Sequence, residues 1–122
     1  MLANFPFGVG ESYHEIDTLD ATGSVHTLSL SNPDRDALIV VTGCSYVNFD
    51  GSSGPVRVQV LPAPEGDASL LAMAATLGAD VSLDRQGMWI LDYGDRLQAL
   101  AYGLTAGDTI RLSASGYLLR KW

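Results

Sequence analysis

The chain has 122 residues, 47% hydrophobic and 17% charged, which suits one globular domain and excludes an intrinsically disordered segment. Fourteen acids against seven bases leave a net charge of -7, which sets the surface against nucleic-acid phosphates and anionic membranes. Cys44 is the one cysteine, so an internal disulfide and a thiolate metal cluster are excluded, and no run nears the ~18 apolar residues of a membrane-crossing helix.

Residues 1–10 (MLANFPFGVG) mix apolar side chains with Pro6, Gly8 and Gly10, which break helical continuity. They read as an extended arm ahead of a single domain over 11–122. Phe5 and Phe7 alternate, so both rings fall on one side of an extended chain, ready to cover the same domain or to grip a neighbour. The arm lacks the basic start and long apolar run of a signal peptide, and synthesis in the cytoplasm is expected.

Strand signals follow in series. Residues 12–18 and 25–30 alternate on either side of the turn Ala21-Thr22-Gly23-Ser24, and Asn32-Pro33-Asp34-Arg35-Asp36 is a strong reversal. The stretch 37–42 (ALIVVT) is β-branched and apolar, as a central strand requires, and 46–49 extends it or begins a partner. After the loop 50–55, Val56-Arg57-Val58-Gln59-Val60 shows the cleanest alternation in the chain. Over 68–77, Leu70, Met73, Ala74 and Leu77 fall at helical spacing between a capping Asp67 and a terminating Gly78. A short helix competes there with an irregular strand. Residues 81–83 and 88–91 (MWIL) read as two short strands, the second buried, separated by 84–87. Strands over 96–104, 109–114 and 117–122 complete the series, with two antiparallel hairpins expected in the last third. About eight short strands without a βαβ rhythm predict an all-β, antiparallel β-sandwich, jelly-roll-like, with at most one short helix.

Catalytic motifs are missing. Gly51-Ser52-Ser53-Gly54 has the letters of a nucleophile elbow at the wrong spacing, and no dinucleotide fingerprint or P-loop occurs. His14 and His26 face one another only if 12–18 and 25–30 form a hairpin, and two histidines without a third ligand make a poor zinc site. The aspartates cluster in turns, where the side chain bonds its own backbone, and calcium binding by Asp34, Asp36 or Asp50 has no D-x-[DN]-x-[DN]-G pattern behind it. No catalytic residue, metal or cofactor is therefore expected. Cys44 reads as a small buried hydrophobe. Tyr46, Asn48, Asp50 and Tyr93 are the candidate ligand-loop residues, since exposed rings beside Asn and Asp suit a sugar. Trp89 reads as core, with a sugar-stacking platform as the alternative. Trp122 needs a surface to dock on, its own or a neighbour's.

The apolar arm, the passage ALIVVTGCSYVNFDGSSGPVRVQV and the closing unit LTAGDTIRLSASG together resemble the small all-β structural proteins of tailed bacteriophages and prophages. The resemblance covers most of the chain and is one of pattern, so it carries no catalytic residue over. It implies a non-enzymatic virion component assembled in the host cytoplasm: a capsid decoration, a spike or fibre base, or a head–tail accessory. Its partners would be itself, as a trimer, pentamer or hexamer, and other virion proteins, with Phe5, Phe7 and Trp122 as assembly contacts. Two other readings stay open: a carbohydrate- or receptor-binding module with a surface glycan as ligand, and a cupin-like enzyme, which the histidine supply argues against.

Overall fold

The computed structural model describes residues 10–64 and 66–121. Phe5, Phe7 and Trp122, the expected assembly contacts, lie outside the described residues. Eight strands make up the fold: β1 (Glu11–Asp20), β2 (His26–Ser31), β3 (Ala37–Asn48), β4 (Val56–Leu61), β5 (Ser69–Ala74), β6 (Ser82–Leu91), β7 (Arg96–Ala101) and β8 (Thr109–Arg120). Among the described residues there is no helix, so none is long and apolar enough to cross a membrane.

The strands pair from the outside in. β1 runs antiparallel to β8, β2 to β7, β3 to β6 and β4 to β5, as if one long hairpin had been laid down. Pairing of β3 with β8 and of β4 with β7 then gathers that ribbon into two four-stranded sheets, β1-β8-β3-β6 and β2-β7-β4-β5. This winding makes the antiparallel sandwich jelly-roll-like, as the strand series predicts.

Alternation places the core. Val56, Val58 and Val60 on β4 are 0%, 1% and 9% exposed, while Arg57 between them faces solvent. Opposite them lie Ile39, Val41 and Tyr46 of β3 with Ile110 and Leu112 of β8. Each large apolar side chain so enclosed stabilises the fold by roughly 1.5–3 kcal/mol. β3 runs unbroken through Tyr46 to Asn48 and carries a bulge between Val41 and Gly43 in its pairing with both neighbours. Beside this bulge, a Cβ on Gly116 would collide with the carbonyl of Val40, so the close approach of β8 to β3 requires glycine there.

One open alternative is settled and two expectations are corrected. Residues 69–74 form an edge strand and not a helix: the helical spacing is spurious, since Leu70 and Met73 are exposed while Leu77 is buried, its backbone bonded both ways to Ser53. Pairing with β4 has overridden local spacing. The two short strands expected over 81–91 are one ten-residue edge strand, and its MWIL segment is not wholly buried. Trp89 and Leu91 face in, whereas Met88 and Ile90 are 65% and 54% exposed. The hairpins expected in the last third are absent, because β6, β7 and β8 alternate between sheets. Short polar loops read as reversals, but here they carry the chain across the sandwich.

Candidate interaction surface

Each end of the sandwich is closed by a buried asparagine. At one end, Asn48 is 1% exposed. Its Nδ2 donates to Asp108 Oδ2 at 2.9 Å and Ser53 Oγ at 3.2 Å, while its Oδ1 accepts from the amides of Asp50 and Gly51, both at 3.1 Å. Tyr46, fully buried, joins its hydroxyl to Ser53 Oγ at 2.9 Å, and burial pushes that hydroxyl above its ordinary pKa. Asp50 reaches across to accept from the Thr109 amide at 2.7 Å. At the other end, Asn32 Nδ2 donates to the carbonyls of Ala37 and Leu91, each at 2.9 Å, and Oδ1 accepts from the Asp34 amide. Here Arg120 pairs with Asp34 at 2.6 Å and Lys121 with Asp92 at 3.0 Å.

These networks decide what the expected ligand loops can do. Tyr46 and Asn48 present no surface to a ligand, because both are enclosed and committed to internal hydrogen bonds. Asp50 is exposed but bonded to its own fold. Tyr93 is 49% exposed with the Arg35 guanidinium 5.0 Å from its ring centre, and it follows β6, at the opposite end from the other three. The four are not brought together. Tyr93 and the exposed Tyr102 flank opposite ends of β7, so they form no shared sugar platform.

Nor do the candidate chemical groups converge. His14 and His26 belong to strands in different sheets, and His26 accepts at Nε2 from the Thr22 amide at 3.0 Å. Among the described residues no three His, Cys, Asp or Glu side chains group as a metal site would need. Cys44 is buried, and burial with Asp84 nearby pushes its thiol up to about 11, far from a reactive thiolate.

What remains is a face. On the outer side of the β1-β8-β3-β6 sheet, register aligns Ser12, Tyr117, Val40 and Ile90 in one row across four strands. Leu119 and Leu38 form the row beneath, and Met88 stands above Ile90 on β6. This apolar strip contains no charged side chain; Val40 at its centre is 3% exposed, Leu38, Tyr117 and Leu119 are half-buried, and Met88 and Ile90 stand exposed. Further along, small residues (Gly43, Ser45, Ser113 and Ser115) leave an open depression of about 270 Å³ flanked by His14, Asp84 and Gln86. Beyond it Arg111 lies 4.9 Å from the Phe49 ring centre, its buried Nε without a hydrogen-bond partner, so the stacking is what compensates the cation there. The second sheet adds exposed Leu70 and Met73 on β5. Sequence reasoning missed Met88 and Ile90 because four consecutive apolar residues read as a buried run. Their alternation with Trp89 and Leu91 was the available signal.

No family model matches the sequence, and no curated protein matches it. Solved structures do. A chain of the acidic stable capsid of Helicobacter pylori bacteriophage KHP30 aligns with a TM-score of 0.55 and 13% identity, over 89% of this chain and 90% of that one. The Drosophila NLP-core, a structure bearing on pentamer formation and histone binding, aligns at 0.45 and 11% over 88% and 97%. A chain of the Bacillus endospore appendages, a family of disulfide-linked pili, aligns at 0.42 and 13% over 93% and 91%. The neighbours thus include a phage capsid chain, and at such identity what is shared is the fold.

Proposed function

We propose that this chain is a non-enzymatic structural protein of a phage-like virion, a capsid decoration, spike or fibre base, or head–tail accessory, that self-associates and meets other virion proteins. The observation that carries the reading is the exposed apolar strip of Met88 and Ile90 on edge strand β6, on a chain whose described buried polar groups are nearly all spent on closing its own ends. Such a strip gains burial only against another surface. The whole-length likeness to a phage capsid chain supports the setting, and the acidic surface limits adhesion to packaged nucleic acid.

Quantitative mass spectrometry of purified particles released from the source genome tests this. The protein is expected in a fixed ratio to the major shell protein, as a symmetric lattice requires. Its absence from washed, intact particles would overturn the assignment.

A further inference from the structure

We infer that Arg111, its guanidinium stacked on Phe49, receives the carboxylate of an aspartate or glutamate from a partner protein chain. Strand alternation places it. Ile110 and Leu112 are 0% exposed, so Arg111 between them points to the outer face of β8, level with Thr18 on β1 and Val47 on β3. A strand on either side encloses its stem, and Nε is shut from water with no hydrogen-bond partner among the described residues. The Phe49 amide donates to the Thr109 carbonyl at 2.9 Å, which holds the ring beside Arg111, 4.9 Å from the guanidinium. Stacking satisfies the face of the cation and leaves its N–H edge unspent.

The chain's own acids do not take that edge. Among the described residues, the ion pairs are made by Arg120 and Lys121. On the same face, Asp20 accepts from the Thr109 hydroxyl at 3.0 Å and Asp84 from the Ser82 hydroxyl at 2.9 Å. Asp50 is held by the Thr109 amide. A chain with fourteen acids and seven bases thus leaves a half-buried cation without a counter-charge among its described residues. Charge selects the occupant: one guanidinium matches one carboxylate, while the surplus of acids repels phosphate and polyanions. Ile16, 44% exposed, stands diagonally across on β1, and Phe49 is 37% exposed, so the fitting carboxylate arrives beside an apolar side chain. A stacked guanidinium loses little freedom on pairing, and its partial burial screens the pair less than open solvent does. Arginine against an aromatic ring is also the composition of interface hot spots. The site needs a protein partner but no particular setting, so it stands apart from the virion reading.

Nuclear magnetic resonance of the full-length, isotope-labelled chain tests this with two capped tripeptides, leucine–glutamate–leucine and its glutamine counterpart, and with inorganic phosphate at equal ionic strength. The glutamate peptide should shift the Arg111 Nε–H resonance and the Ile16 and Val47 methyl resonances saturably. The glutamine peptide and phosphate should each bind roughly ten-fold more weakly or worse. Arg111→Gln removes the charge where no described partner is lost, so the fold should hold, as an unchanged thermal melt would verify, and the methyl shifts should vanish. A glutamate peptide that binds no better than its glutamine counterpart overturns the inference. So does an equal response to phosphate, which would make Arg111 a plain anion site, and so do methyl shifts that survive in Arg111→Gln. If that variant fails to fold, the contrast between the two peptides on the unaltered chain decides alone.

Discussion

Asn32 and Asn48 act alike at the two ends of the sandwich: each satisfies backbone or side-chain groups from loops far apart in sequence. Replacing either with Ala strands several buried partners, and each substitution should cost about 2–4 kcal/mol in chemical denaturation. Neither role was legible in the sequence. Asn48 sits inside an aromatic strand extension and reads as a loop ligand, because nothing local indicates that Asp108, sixty positions away, will accept its amide at 2.9 Å. Gly116→Ala drives a methyl group into the Val40 carbonyl and should lower stability by at least about 2 kcal/mol. Fully buried Tyr46, buried Cys44 and half-buried Tyr13, all pushed up by burial, give the fold an alkaline limit. Burial raises Tyr13 to about 12, with Glu15 adding to it, and Cys44 to about 11. Folding favours their neutral forms, so this contribution is complete below the ordinary values of 10.0 and 9.0 and lost as pH rises through about 11 and 12. The denaturation midpoint should fall between roughly pH 9 and 12, and less so in a Tyr13→Phe, Cys44→Ala variant. A midpoint flat over that window would remove the argument.

At the scale of elements, β4 and β6 show where sequence reading succeeds and where it stops. β4 is half-buried, so its valines alternate with polar residues and both strand and inner face could be read directly. β6 is an edge strand whose outer face is also apolar along MWIL, so its alternation is hidden and a surface strip passes for core. β5 fails differently: an edge strand with one partner has little tertiary patterning, and chance helical spacing competes with it. The two faces of β6 predict opposite responses. Leu91→Ala should cost about 2–5 kcal/mol through the cavity it leaves, while Met88→Lys and Ile90→Lys should each stay within ~0.5 kcal/mol of the unaltered chain. Equal losses at Leu91 and Ile90 would contradict the assignment of faces.

For the whole molecule, strand number and fold class follow from composition and turn spacing, but strand order does not. Which strands pair depends on burying both sheets at once, and nothing within 12–18 announces that its partner is 111–117. That winding also leaves the two edges of the β1-β8-β3-β6 sheet unlike. β1 bears Glu11, Glu15, Asp17 and Asp20 beside an exposed Ile16, charges of the kind that blunt an open edge, whereas β6 carries Asp84 and Arg85 in its first half and exposed Met88 and Ile90 in its second.

The most direct test of self-association is the mass of the unaltered chain in solution, followed by light scattering behind a sizing column across a dilution series. The account predicts a discrete species whose mass is an integer multiple of 12.9 kDa and which dissociates only on dilution. A species of 12.9 kDa at every concentration would contradict it.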